Sequence, residues 1–470
     1  MKTKEINIHI RLWFLLCCSS FYTACNPYLQ IDPPIDSVSA SLVFADDDAA
    51  KSALTGIYSN MVSSGSFADG GISSITATGG MSSDEFIAYS NVYEAFYKNA
   101  LSSATSFTSV WNRPYFNIYT ANKILEGLSE NEKISAAVKT QLQGEAKFIR
   151  AFCYFYLTNL FGDVPMHLTT DYRMNSKAGR TKQSEVYQQI IKDLLDAQAL
   201  LGNNYYTTER VRPNKWAATA LLARVYLYTK DYQDAEIQAT TVINNTAMFS
   251  LKDDLNQVFL KNSTEAIWQL MPNTAGRNTT EAVTFIFLNT PTGVSLTQNL
   301  IEAFEPGDKR RTSWVGSTTV SGKTYYYPYK YKVGAVSSLS EYSMVLRLAE
   351  QYLIRAEARI NLDKTEAGIQ DINLLRTRSR ALATPTVPNP LPPLPVDLSK
   401  PEALLAVEKE RRIEFFSEWG HRWFDIKRTG RADAILAPLK GTGWQSTDVL
   451  WPIPQADINN NASLTQNKGY

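Results

Sequence analysis

The chain has 470 residues, three histidines, and 47 Lys and Arg against 46 Asp and Glu, which gives a formal net charge of +1. A length well above the ~100–200 residues of one ordinary domain allows either two lobes or one large body built from repeats. Near-zero net charge argues against a nucleic-acid partner, which would require a basic surface. His9, His167 and His421 are far apart in sequence, so few residues are available for a zinc site or a Ser-His-Asp triad. We expect no metal site and no cofactor.

The N-terminus has the pattern of a targeting segment. Basic residues precede a short apolar run, Leu12 to Cys18, which is too short to span a membrane. The sequence Thr-Ala-Cys25 resembles the end of a bacterial lipobox, in which the cysteine carries the lipid. We therefore expect a signal peptide over 1–24, lipidation of Cys25 and a lipid-anchored tether over 25–46.

Apolar residues recur at helical spacing along the first half of the chain. Helices are predicted over Asp47–Met61, Val110–Leu128 and Gln141–Phe161. The segment between the first two begins with Ser63–Gly80, which is rich in Ser, Gly and Thr and is typical of a long loop.

A helix pair then recurs with the spacing of a tetratricopeptide repeat. The first clear copy runs through Lys215–Tyr228 and on from Asp231, and the second spans Gln351–Arg376. Phe148-Ile149-Arg150-Ala151 has the same local pattern as Leu353-Ile354-Arg355. Three copies at irregular separations indicate repeats with insertions between them, whose helices share one core.

The insertions have a different composition. Glu265–Leu270 and Val283–Leu288 are short apolar runs that favour β-strands, and Gly316–Val333 is rich in Thr, Tyr and Gly. A Pro-rich stretch after the last repeat cannot lie inside a regular helix or sheet, so we expect an ordered surface crossing there.

The segment Glu408–Gly430 combines charges with aromatic residues. Interpreted as one helix, it places six charged side chains along one stripe: Arg411, Glu414, Glu418, Arg422, Asp425 and Arg428. One hypothesis assigns two of the acids to general acid/base catalysis, which would require an apolar pocket without cations. The other treats the stripe as a structural network, because arginines beside acids keep them ionised. We favour the structural network.

Several stretches in order resemble the SusD/RagB family of outer-membrane nutrient-binding lipoproteins. These are AKFIRAFCYFYLTNLFGDVP, LRLAEQYLIRAEA, ERRIEFFSEWGHRWFDIKRTG and the closing WPIPQADINNNASLTQNKGY. The resemblance implies a mostly α fold, in which tetratricopeptide-like helix pairs form a right-handed superhelical scaffold with an irregular, loop-rich insert containing short strands. It also implies an N-terminal helical part over 47–261 and a C-terminal region over 262–470.

The resemblance further implies a function. Such a protein sits on the outside of the outer membrane, captures an oligosaccharide or, less often, a peptide, and delivers it to a TonB-dependent, SusC-like barrel. It is not an enzyme. Two alternatives are a secreted glycoside hydrolase, marked by two carboxylates ~5–9.5 Å apart in a cleft, and a protein-interaction scaffold without an aromatic-lined pocket.

No ligand-binding residue follows from the motifs, because loops build the binding sites of this family. Sugar rings stack their C–H faces on aromatic side chains, so loop-borne aromatics are the candidates. The alternative for each is ordinary core packing. The candidates are Phe67, Tyr89, Tyr93, Trp314, Tyr325 and Tyr327.

Overall fold

The computed structural model describes residues 43–129, 131–335 and 338–470. The predicted signal peptide, Cys25 and the tether as far as residue 42 lie outside the described residues. No helix in the described ranges is both long and apolar enough to cross a membrane.

Helices dominate the described chain, and eighteen α-helical segments are numbered here in chain order. They are α1 Asp47–Val62, α2 Ile75–Ser82, α3 Glu94–Lys98, α4 Arg113–Ser129, α5 Ala136–Phe161, α6 Tyr172–Asn175, α7 Gln183–Leu200, α8 Lys215–Tyr228, α9 Tyr232–Ile243, α10 Thr280–Phe285, α11 Gln298–Glu302, α12 Lys309–Ser313, α13 Leu348–Asn361, α14 Thr365–Ser379, α15 Lys400–Phe415, α16 His421–Arg428, α17 Ala432–Lys440 and α18 Gln455–Asn460.

Within the described ranges, eight short strands form three antiparallel sheets. The strands are β1 Phe86–Ala88, β2 Val164–Pro165, β3 Arg180–Thr181, β4 Ala266–Leu270, β5 Val294–Leu296, β6 Val315–Val320, β7 Lys323–Pro328 and β8 Ser343–Arg347. The largest sheet has the order β1-β5-β7-β6, while β2 pairs with β3 and β4 pairs with β8. The mostly α fold with an insert containing short strands is therefore confirmed.

The predicted repeat pairs are present as packed neighbours. Helices α4 and α5 pack together, followed by α7, α8, α9, α13 and α14 in a continuous array. The helix α8 covers the predicted residues. Asn214 is its N-cap, and the Asn214 side chain accepts from the backbone N–H groups of Trp216 and Ala217.

The arginine shared by the three repeat copies has one structural role. Arg150 pairs with Asp193 of α7 at 2.7 Å, Arg224 with Glu350 of α13 at 2.6 Å, and Arg355 with Asp371 of α14 at 2.7 Å. All three guanidinium groups are buried. Each pair joins one helix of the array to another, because a buried arginine needs a carboxylate partner. The recurring Arg is thus a structural element of the repeat.

The structure corrects two predicted segments with short patterns. Ser63–Gly80 is not all loop, because α2 begins inside it and is buried along its whole length. Val283–Leu288 is not a strand: α10 ends within it, and the Thr279 side chain accepts from the Ala282 N–H at the helix start. Both segments had short, ambiguous patterns, and tertiary packing decided their structure.

Glu408–Gly430 is not one helix. Helix α15 ends at Phe415, and α16 begins at His421 after a tight turn. Ser417 and Trp419 have φ of 56° and 49° in this turn, a conformation that L-residues adopt only when packing enforces it. The indole nitrogen of Trp419 donates to the Met344 carbonyl at 2.6 Å, which anchors the turn against β8.

The six charged residues of the predicted stripe all take part in buried ion pairs. Glu414 accepts from Arg347 at 2.6 Å, from Arg378 at 2.7 Å and from Arg310 at 2.8 Å. Burial alone would raise the pKa of Glu414, but the three arginines outweigh it and hold this pKa well below its usual range.

The remaining members of the predicted network connect further elements. Glu418 pairs with Lys330 at 2.5 Å and Arg347 at 2.8 Å. The other contacts link Arg422 to Asp84, Arg411 to Asp425, and Arg428 to both Asp425 and Glu357. Burial raises the pKa of Asp425, but Arg411 and Arg428 lower it overall.

The main hydrophobic cluster contains residues from Phe44 to Leu464. It therefore includes side chains from both sides of the predicted 261/262 boundary. A smaller cluster lies between α13, α14 and α15. The division into 47–261 and 262–470 stays a prediction about sequence organisation.

Loss of Glu418 should destabilise the fold. We expect Glu418→Ala to lower the free energy of unfolding by about 3–5 kcal/mol, because Lys330 and Arg347 would each lose a buried partner. Chemical denaturation would measure the change, with Glu302→Ala, an exposed glutamate, as the control. Unchanged stability with a selective loss of ligand binding or of any activity would contradict the structural role.

Candidate ligand-binding surface

The four-stranded sheet has one face against the core and an opposite, outward face that is partly exposed at Tyr89 and Tyr325. Tyr326 of β7 lies opposite Leu296 of β5, which in turn lies opposite Phe86 of β1. Phe86 and Leu296 are fully buried, and Tyr326 packs against the same core. Because side chains alternate along a strand, Tyr325 and Tyr327 belong to the opposite face.

Tyr89 follows β1 and lies on this outward face beside Tyr325. Its backbone N–H donates to the Gly293 carbonyl at 2.8 Å, and its hydroxyl lies 2.9 Å from the Ser295 hydroxyl. The rings of Tyr89 and Tyr325 are 6.1 Å apart and nearly perpendicular, at 73°. Lys323 lies 4.9 Å from the centroid of the Tyr325 ring. The pair thus combines aromatic surface with hydrogen-bonding groups.

A second group of aromatic residues continues this face. The rings of Tyr327 and Phe287 are 5.0 Å apart, and those of Tyr327 and Tyr329 are 6.0 Å apart. The Tyr327 ring lies over Gly316 of β6, where a Cβ atom would come within 2.2 Å of the ring. Thr318 donates to the Phe287 carbonyl at 3.0 Å and fixes it beside β6.

We call this surface the aromatic face and define it as Tyr89, Phe287, Tyr325, Tyr327 and Tyr329. Tyrosine offers an apolar ring for the C–H face of a sugar and a hydroxyl for its polar edge. The contacts that hold these residues come from distant parts of the chain. This arrangement is suited to binding an extended polar ligand at the surface.

The structure does not bring the six sequence candidates together. Tyr89, Tyr325 and Tyr327 lie on the aromatic face, although Tyr327 is only 8% exposed. Tyr93 is half-buried against the core. Burial, with a smaller contribution from the Asp69 charge, raises the pKa of Tyr93.

Phe67 and Trp314 are corrected, because both lie in the core and present no surface to a ligand. Phe67 packs against Phe152 and Tyr156. The indole nitrogen of Trp314 donates to the Leu255 carbonyl at 3.0 Å.

Sequence analysis missed Phe287 and Tyr329. Phe287 lies in Val283–Leu288, which the sequence pattern predicts as a strand. In the structure it is a loop residue that contacts Tyr327 of β7, so it was not considered among the loop-borne aromatics. Tyr329 was part of the Tyr-rich segment, and its alternation with Tyr325 and Tyr327 was the available signal.

A cavity of about 410 Å³ lies between α8, α9, α13, α15 and α16. Most of its charged side chains are already paired, for example Arg428 with Glu357 at 2.5 Å and Arg431 with Glu408 at 2.7 Å. No group of three or more His, Cys, Asp or Glu is placed to hold a metal within residues 43–129, 131–335 and 338–470. Cys153 is fully buried, and burial raises the pKa of its thiol.

Comparisons with known proteins agree along most of the chain. A family model described as "Starch-binding associating with outer membrane" matches residues 28–227, and one described as "SusD family" matches residues 309–470. SusD-like protein P25 of Formosa agariphila is 24% identical, with 99% of each chain covered.

Solved structures share the fold. A SusD superfamily protein from Bacteroides vulgatus superposes with a TM-score of 0.75 at 22% identity, covering 90% of this chain and 99% of that one. A laminarin-binding SusD-like protein gives a TM-score of 0.74 at 22% identity, over 90% of this chain and 100% of that one.

Stacked helical repeats with an inserted sheet and an outward aromatic surface define a helical-repeat binding protein. The chain belongs to the SusD/RagB family, which consists of non-catalytic proteins. It is accordingly a glycan-binding protein associated with the outer membrane, and not an enzyme.

Removal of either ring of the central pair should weaken glycan binding. We expect Tyr89→Ala and Tyr325→Ala each to lower affinity roughly 5- to 30-fold, the effect of losing about 1–2 kcal/mol of aromatic contact. Calorimetry with the bound glycan would measure the change. Tyr172→Ala, which removes a 76% exposed tyrosine of α6, is the matched control. Equal affinity in all three variants would place the ligand elsewhere.

Proposed function

We propose that the protein captures an oligosaccharide on the aromatic face and delivers it unaltered to a TonB-dependent, SusC-like barrel in the outer membrane. The observation that carries this proposal is the convergence of Tyr89 and Tyr325, more than 200 residues apart in sequence, on the outward face of one sheet. A peptide is the less favoured ligand, because a peptide would use backbone hydrogen bonds more than aromatic faces.

The comparisons support a glycan as the ligand. The description of the first family model names starch binding, and one solved structure of the same fold is described as laminarin-binding. Both are glucose polymers with extended C–H faces. We therefore propose a neutral glycan backbone as the part of the ligand that stacks on the tyrosine rings.

The N-terminal sequence supports a position on the cell exterior. Cys25 follows an apolar run and the pair Thr-Ala, as in a lipobox. We propose that lipid on Cys25 holds the protein at the outer leaflet, with the folded body facing outward. In this position the body would lie beside the barrel that receives the ligand.

Binding without turnover is the expected behaviour of the purified protein. We expect saturable heats of binding with affinity on the order of micromolar, because stacking and exposed hydrogen bonds must also offset the ordering of the ligand. Calorimetry and product analysis would be run on the same samples, with a panel of oligosaccharides and peptides. Product that accumulates in proportion to pure protein would contradict a carrier and support the hydrolase alternative.

Lipidation can be tested independently. We expect Cys25→Ala to lose incorporation of labelled fatty acid and retention in the membrane fraction, while the folded body keeps its thermal stability. Cys153→Ala serves as the control, since Cys153 is buried in the core. Equal labelling of the wild type and Cys25→Ala would rule out this anchor.

A further inference from the structure

Exposed aromatic side chains are concentrated in one region of the surface. In the described part of the chain, four aromatic side chains are largely exposed, and three of them lie on α4 and α6. These three are Phe116, Tyr119 and Tyr172. Single exposed apolar residues are ordinary, but a group of large ones marks an interaction surface.

Two further apolar side chains extend this group. Leu168 lies in the loop before α6, and Met174 belongs to α6 itself. We define the apolar patch as Phe116, Tyr119, Leu168, Tyr172 and Met174. Their exposed fractions range from 41% to 76%, so most of this apolar surface is accessible to a partner.

Hydrogen bonds between α4 and the loop before α6 hold the two halves of the patch side by side. The Asn122 side chain donates to the His167 carbonyl at 3.0 Å, and Glu126 accepts from the backbone N–H of Thr170 at 2.8 Å. Tyr119 lies three residues before Asn122, on the same stripe of the helix. The loop therefore runs along the stripe that carries Tyr119.

Helix α6 is a single turn that is bonded to its own loop. Asp171 accepts from the backbone N–H of Arg173 at 2.9 Å, and the Asn175 side chain donates to the Thr169 carbonyl at 2.8 Å. Tyr172 thus projects from a backbone whose conformation is already fixed. Such a fixed position lowers the ordering cost when the patch is covered.

The patch lies beside the point at which the chain enters the folded body. A Cβ atom on Gly127, in the last turn of α4, would come within 2.2 Å of the Phe44 ring. Gly127 directly follows Glu126, the residue that holds Thr170 of the loop. The segment that leads back to Cys25 therefore joins the body at the end of α4 that lies against this loop.

A lipid on Cys25 cannot by itself decide which side of the body faces the membrane. Seventeen residues separate Cys25 from residue 43, and such a segment can span at most roughly 56–61 Å. A compact body of about 430 residues is roughly 55–60 Å across. The anchor alone would allow every orientation, so a second contact is needed to select one.

The charges around the patch are compatible with an anionic surface. The segments 113–129 and 166–177 contain four basic and two acidic residues. Asp171 pairs with Arg173 at 3.1 Å, and the other acid accepts from the loop backbone. The three aspartates at 46–48 also have partners at a helix start, a serine and a lysine. Basic residues close to a membrane are attracted to anionic headgroups.

We propose that the apolar patch rests on the lipid surface of the outer leaflet and, together with the lipid on Cys25, orients the folded body on the membrane. Tyrosine has an apolar ring and a polar hydroxyl, which suits it to the headgroup region, while the other apolar side chains enter the boundary with the acyl chains. This inference rests on the proposed function, because the lipid on Cys25 must hold the protein at the membrane.

The test uses the full, lipidated chain with one fluorescent label. Beyond the predicted signal peptide and Cys25, Cys153 is the only native cysteine, and it is buried. Met174→Cys supplies one reactive thiol on the patch, and Leu382→Cys supplies one at a largely exposed residue outside it. We call these the patch label and the control label. Both proteins are reconstituted in vesicles of phosphatidylethanolamine and phosphatidylglycerol that contain a nitroxide-labelled lipid as quencher.

The patch label should be quenched at least roughly threefold more strongly than the control label, because an interfacial patch lies about 5–10 Å into the headgroup region. Adding Phe116→Ser and Tyr119→Ser to the patch-labelled protein should remove most of this difference. Leu374→Ser with Leu439→Ser changes two exposed leucines outside the patch. This matched pair should keep the difference, and thermal unfolding would confirm that each protein is folded.

The outcomes separate this inference from the proposed function. Equal quenching of the two labels on vesicle-bound protein, or a difference that survives Phe116→Ser with Tyr119→Ser, would overturn this inference alone. A patch label that stays unquenched in vesicles and is shielded from iodide only when the barrel is also present would overturn the lipid contact and assign the patch to the barrel. Failure of the lipidated chain to associate with vesicles would overturn both the proposed anchor and this inference.

Discussion

The buried Glu414 carboxylate is the interaction on which the C-terminal half depends. Three guanidinium groups from α12, β8 and α14 meet at its two oxygens. Removing any one charge from such a cluster leaves another buried charge uncompensated, so the whole arrangement is stable only when all of its elements are in place. The cluster therefore fixes the relative positions of α15, the repeat pair α13–α14 and strand β6, which follows α12.

The same cluster also affects the position of the ligand surface, because the chain continues directly from the cluster into the sheet. Arg310 of α12 contacts Glu414, and α12 leads directly into β6, the strand paired with β7. The position of Tyr325 thus follows from a buried charge cluster in the scaffold. Tyr89 belongs to the other part of the chain and is held to the sheet by Gly293 and Ser295. A rigid platform lowers the ordering cost of binding and so favours affinity.

The long periodic elements could be predicted from the sequence, and the short ones could not. Lys215–Tyr228 was predicted with its observed bounds, because an apolar pattern that repeats over many residues fits only one type of secondary structure. The turn at Ser417 and Trp419 could not be predicted, because tertiary packing holds these two non-glycine residues at positive φ. The charge pairing of that segment was nevertheless foreseeable, because buried arginines and acids require one another.

The ligand surface was harder to predict for a related reason. Aromatic residues in loops have the same sequence signature whether they face the core, as Phe67 does, or the solvent side of a sheet, as Tyr325 does. Only the register of β7 with β5, which places Tyr326 on the core side, separates the two cases.

Hydrogen–deuterium exchange with and without a saturating glycan would test the central claim most directly. We predict new protection in the segments that carry the aromatic face, residues 86–93 and 323–329, with little change elsewhere. Protection confined to the helices around the 410 Å³ cavity, near Tyr232 and Leu405, would contradict the account and assign binding to the helical repeats.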